Sequence, residues 1–311
     1  MMLVKKFCGL NKHMQALLIF GLALAFVSLV YLPTFLYPYL LTDEAWIVRP
    51  GTHTWVYSMG RPLFSVFSWL SAMISAKYGL GVVFALRGSA VIALSLSAYF
   101  LMRWFERWGH DRWASLGLAL VIMTLPSYQI VVADGTQLAF AILFAILATL
   151  AFHRGFERRS TMLIAGSTIM LISALLIYQQ QALIVFAMLA VPLLQYPAER
   201  QVKRLVISGG LFVTAVSCLY FIVWRIMYRA FLPDKIDTRY GPDAVGLPTL
   251  EQVFNFADIR ITQVANLWHV YSVPKLSWVV AIVAVLAAVK IGSDVRAGRR
   301  AAIYHMQSLL A

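Results

Sequence analysis

The sequence predicts an all-α polytopic membrane protein, and three observations carry that reading. Hydrophobic residues make up 61% of the chain and charged residues only 13%, about half the charged share of a soluble globule. Mean hydropathy is +0.78. Apolar windows long enough to cross a bilayer recur along the chain, and the basic residues gather in alternate connections between them.

In order, the windows lie at 15–37, 80–102, 113–132, 137–153, 161–178, 180–195, 205–227 and 274–291. Each is near the spanning length of roughly 17–25 residues, so about eight transmembrane helices are expected. Lys5, Lys6 and Lys12 precede the first window as they would in a signal peptide. That window outruns the roughly 7–15 apolar residues of a signal and has no small-x-small cleavage site, so it is expected to remain as the first helix. Residues 62–78 are apolar but short and Ser-rich, and a crossing there would invert every later connection. They are therefore expected to form a helix lying in or re-entering the interface, within a first outward loop over 38–79. A second large outward loop is expected over 228–273, the whole of 1–311 forming one integral membrane domain.

The net charge is +13, and its distribution explains it. With a cytoplasmic N-terminus, the inward segments hold Lys5, Lys6 and Lys12; Arg103, Arg107 and Arg112; Arg154, Arg158 and Arg159; Arg200, Lys203 and Arg204; and Lys290, Arg296, Arg299 and Arg300. These are most of the 26 Lys and Arg, gathered as the positive-inside rule requires. The charge sets orientation in a lipid bilayer and is not read as a nucleic-acid surface. No P-loop and no G-x-G-x-x-G follows a strand pattern. Cys8 and Cys218 are the only cysteines, which leaves no disulfide framework and no Cys-based metal site.

The polar residues of the outward face carry the candidate chemistry. Asp43 and Glu44 open the first loop, and adjacent helical residues point about 100° apart, so one faces a reacting centre while the other supports it. An interfacial carboxylate can take a proton from an attacking hydroxyl; the same pair can equally cap a helix start after Thr42. Arg61, Arg225 and Arg229 on that face can hold an anionic leaving group or anchor the interface. Arg87 lies inside an apolar stretch, where an arginine must be paired or snorkel, and it is a further candidate for a lipid phosphate. In Tyr178-Gln179-Gln180-Gln181 the amides can bond sugar hydroxyls and the ring can stack on a sugar face, although a polar turn with an interfacial aromatic has the same composition. Asp134 reads as an Asp-Gly turn or a second acidic ligand. A divalent metal at the phosphate stays an open alternative to arginine, while His53 and His269 lack zinc-ligand spacing.

Thr42-Asp43-Glu44-Ala45-Trp46 in the first outward loop, then Gly60-Arg61-Pro62-Leu63, then Tyr178-Gln179 at the outer end of a span, resemble the serotype-converting glucosyltransferase family of bacterial inner membranes. These belong to the GT-C class. The resemblance covers roughly residues 15–195 and implies a GT-C-like helical bundle. It also implies a polyprenyl-phosphate-linked sugar donor, with glucose as the sugar, and transfer to O-antigen or a related surface glycan at the periplasmic face. The base of such enzymes maps to Asp43, with Glu44 beside it.

Two other classes compete. A transporter or flippase of lipid-linked sugars is expected to show internal repeats and interrupted helices, and no repeat is present. An O-antigen polymerase is expected to place arginines in large outward loops, as the 228–273 segment does with Arg229, Arg239 and Arg260.

Overall fold

The computed structural model describes residues 11–36, 61–78, 81–125, 132, 136–196 and 199–231. All fall in the first of the chain's two compact units, residues 1–246; the second, 247–311, lies outside the described residues, and with it the expected span over 274–291. Among the described residues there is no strand. The helices are α1 (Lys12–Val30), α2 (Leu32–Leu36), α3 (Pro62–Tyr78), α4 (Gly81–Arg107), α5 (Arg112–Met123), α6 (Thr136–Arg158), α7 (Thr161–Ile177), α8 (Gln179–Ala182), α9 (Ile184–Gln195) and α10 (Arg200–Phe231).

Among the described residues four segments are long and apolar enough to cross a membrane: His13–Val30, Leu86–Arg107, Leu138–Arg158 and Arg200–Met227. The apolar helices α5, α7 and α9 are shorter. The protein is thus a helical membrane protein. The expected 15–37 window is broken at Tyr31 into α1 and α2, because Pro33 has no N–H to return to the Leu29 carbonyl. The expected 80–102 window continues to Arg107, where Glu106 pairs with the basic residues around it.

Side-chain contacts fix the direction of each helix. Arg112, at the start of α5, donates to Gln15 near the start of α1 at 3.0 Å. At the other ends of the same helices the Tyr31 hydroxyl donates to the Met123 carbonyl at 2.9 Å. Arg107 and Glu157 join the ends of α4 and α6. Tyr196, after α9, lies 6.3 Å from the Trp108 ring beyond α4. Gln179, at the start of α8, reaches Tyr220, more than halfway along α10. The helices therefore alternate in direction between two ends. One end holds Arg103 and Arg107 of α4, Arg112 of α5, Arg154 and Arg158 of α6 and Arg200 and Arg204 of α10 and is called the basic end below; the other is the far end.

α3 stands apart from this alternation. Arg61 at its start touches Tyr178 at the far end, and after Tyr78 only two residues precede α4, which runs from the far end to the basic end. Both ends of α3 thus lie at the far end, and Phe67, Trp69, Leu70 and Met73 face outward.

The two connections at the basic end share one design. α4 stops in a Schellman motif, with Gly109 at φ +86 donating to Glu106 and His110 donating to Phe105. Asp111 then accepts from the Trp113 and Ala114 amides at 2.9 and 3.1 Å and starts α5. α6 stops in the same way, with Arg159 at φ 52 and Ser160 donating to the Gly155 carbonyl, before Ser160 accepts from Leu163. α6 and α7 come so close that a Cβ on Gly155 would stand 2.9 Å from Ile164, so only glycine fits there.

Pro192 sits inside α9 and leaves the Met188 carbonyl without its helical donor. In hydrocarbon no water can replace that donor. The indole of Trp104 on α4, fully buried, donates to the same carbonyl at 3.0 Å. We expect Trp104→Phe to lower stability by about 1–3 kcal/mol in thermal unfolding of the detergent-purified protein, since it keeps the ring but orphans the carbonyl. In a Pro192→Ala background the helix supplies its own N–H, and the same substitution should cost clearly less. Equal cost in both backgrounds would contradict the assignment.

Candidate functional site

The far end brings together residues that are distant in sequence. Arg61 precedes α3, where Pro62 at the first helical position needs no N–H partner. Its guanidinium lies over the Tyr178 ring, 4.0 Å from the centroid, a cation–π geometry. Tyr178 is in an extended conformation, φ −159 and ψ 107, and so separates α7 from α8. The next residue, Gln179, donates through Nε2 to the Tyr220 hydroxyl at 2.5 Å. Tyr220 is buried on α10 and stacks with Trp224 one turn later, at 6.4 Å and 10° between planes. Arg61, Tyr178, Gln179 and Tyr220 thus form one chain of contacts through α3, α7, α8 and α10.

One atom of this cluster stands out. The Arg61 Nε is buried and has no hydrogen-bond partner among the described residues. A buried charged donor without an acceptor costs free energy of desolvation, and an anionic oxygen at that position would recover it.

Arg87 occupies a different place at the same end. It is fully buried on α4 and donates through Nη1 to the Thr34 carbonyl of α2. A cation near a helix C-terminus satisfies leftover carbonyls and complements the dipole. Arg87 therefore does not snorkel; it ties α2 to α4. Arg225 is exposed on α10, turned about 140° around the helix from Tyr220. Gln180 and Arg229 lie in α8 and α10, their side chains outside the described residues. Asp43, Glu44 and Asp134 lie outside the described residues altogether. The described residues on either side of the acidic segment 37–60, α2 held by Arg87 and Arg61 over Tyr178, both lie at the far end.

Tyr220 escapes sequence reasoning because it lies inside the apolar 205–227 window, where a single tyrosine reads as packing. A second group escaped for the same reason. His153 is buried on α6 between the Trp104 and Trp108 rings, 5.2 and 5.5 Å away, towards the basic end. Among the described residues no three His, Cys, Asp or Glu converge on a metal-sized gap. No protein-family model matches this chain, nor does any curated protein or solved structure.

The two far-end arginines should separate by experiment. Arg87→Met should lower unfolding free energy by about 1.5–3 kcal/mol, because a buried charge-assisted bond is lost. Arg61→Gln should cost less than about 1 kcal/mol, because only the cation–π contact with Tyr178 goes. The reverse order in thermal melts would contradict the roles assigned.

Proposed function

We propose that this protein is a GT-C-type glycosyltransferase of a bacterial inner membrane, moving a sugar from a polyprenyl-phosphate carrier to O-antigen or a related surface glycan on the periplasmic face. The observation that carries the reading is Arg61, stacked on Tyr178 with its Nε unpartnered among the described residues, at the end of the segment that holds Asp43 and Glu44. Such a donor suits the phosphate of a lipid-linked sugar, and the neighbouring amide of Gln179 and ring of Tyr178 suit the sugar itself.

In this reading Asp43 takes the proton of the acceptor hydroxyl as its oxygen bonds to the anomeric carbon. The bond from that carbon to the phosphate oxygen breaks, and the electron pair leaves with the polyprenyl phosphate, whose charge Arg61 stabilises. Glu44 orients Asp43 or the acceptor, and glucose is the sugar that the motif resemblance favours. The basic end lies on the cytoplasmic side, as positive-inside orientation prefers, so the far end meets the periplasm. A transporter is less well supported by the interior. Among the described residues the buried hydroxyls of Ser95, Ser97, Thr149 and Ser167 all donate to backbone carbonyls, leaving no polar pathway of their making through the bundle.

The test is glycan modification in cells and transfer by purified protein. Asp43→Asn keeps shape and capping ability, so expression should persist while transfer falls roughly 10²–10⁴-fold. Arg61→Gln should raise the KM for donor. Near-normal transfer by the Asp43 variant rejects it as base, and a dead Glu44→Gln beside it would exchange the two roles.

A further inference from the structure

A cavity of about 750 Å³ opens at the basic end, remote from the far-end cluster. Its rim is formed by Arg103, Arg107, Arg112 and Arg154 with Glu106. Glu106 accepts from both Arg103 and Arg112, and Glu157 accepts from Arg107. Arg154 is exposed and has no ion pair among the described residues. The arginines of the rim thus outnumber the carboxylates that neutralise them among the described residues, so the rim carries net positive charge.

Below the rim the walls are apolar, with Leu147 and Leu150 on α6 facing Leu163 and Met170 on α7. Leu163 and Met170 are about 10 Å apart along the helix, so the apolar shaft is deeper than a free phosphate could use. A second hollow of about 310 Å³ shares Tyr99, Arg103 and Arg112 with the first and extends to Ala16 and Ile19 on α1. Two hollows meeting at one arginine lip, the second lined by Gln15 as well as by Ala16, Ile19 and Tyr99, fit an amphiphile with one anionic head and two chains. Basic pockets between helices near a membrane face bind such headgroups, and the main volume lies in the range of a ligand site, roughly 300–1,000 Å³.

We infer that the basic end is a binding site for an anionic two-chain phospholipid, its phosphate on Arg103, Arg112 and Arg154 and its chains on either side of Tyr99. The site lies apart from the proposed sugar transfer and does not depend on it. The test is native mass spectrometry of the full chain, purified in detergent and offered equal amounts of phosphatidylglycerol, phosphatidylcholine of the same chains, and polyprenyl phosphate. Phosphatidylglycerol should be retained about tenfold over phosphatidylcholine, the scale of one charge-assisted contact, and ahead of the single-chain polyprenyl phosphate. Ala151→Trp fills the cavity without changing charge, and Arg154→Gln removes an exposed charge without touching the core. Each should cut retention, with Arg154→Gln deciding should the tryptophan variant fail to fold. Equal retention of the two phospholipids, preference for polyprenyl phosphate, or unchanged retention in Arg154→Gln would overturn the site.

Discussion

Backbone carbonyls left over by helix ends and by proline govern how this bundle is put together. In hydrocarbon an unpaired carbonyl costs several kcal/mol, and among the described residues three such carbonyls meet a donor from a neighbouring element. Tyr31 serves Met123, Arg87 serves Thr34, and Trp104 serves Met188. These three bonds also join α1 to α5, α2 to α4, and α4 to α9. The requirement that satisfies the backbone is therefore the one that positions the helices. α4 takes part in two of the three, which is why it lies at the centre of the packing, with Leu94, Met102 and Trp104 fully buried.

Because the interior is closed in this way, charge is confined to the two ends, and the ends differ in kind. At the basic end arginines and glutamates form a network over α4, α5 and α6, with Gln15 of α1 attached through Arg112. Among the described residues the far end has fewer charges, and there Arg61 lies over the Tyr178 ring beside the Gln179 amide, the company that sugar and phosphate recognition needs. The chain order places the acidic segment 37–60 between α2, which Arg87 holds, and Arg61. The proposed division of labour follows: a lipid anchor at one end and sugar chemistry at the other.

Much of this was legible in the sequence, for reasons that are physical. Each of the seven apolar windows that reach the described residues holds helix, because in lipid side chains decide burial, but only four of those helices, against about eight expected spans, are long and apolar enough to cross a membrane; the alternation of basic clusters matches the alternating directions of the helices. The break at Tyr31 could have been read from Pro33, and the stop after α4 from Gly109 followed by Asp111. Partners across the bundle were not legible. Nothing in the local sequence tells that Trp104 is a hydrogen-bond donor to α9, or that Gln179 finds Tyr220 forty-one residues later. Arg87 illustrates the same limit, since its apolar setting announces a constrained cation but leaves open whether ligand, lipid or helix end constrains it. Arg61 and Tyr178 were each singled out on their own residue types; that they touch is a fact of three-dimensional packing.

In the proposed arrangement the two ends of the bundle face opposite sides of the membrane, with Asp43, Glu44 and Arg61 on the outer one. Alkaline phosphatase, which is active only when exported, measures this directly when fused after Gly51 in the acidic segment and after Ser160 at the basic end. The fusion at Gly51 should be active and the one at Ser160 inactive. The opposite pattern would place the far-end cluster in the cytoplasm and contradict the assignment of a periplasmic sugar transferase.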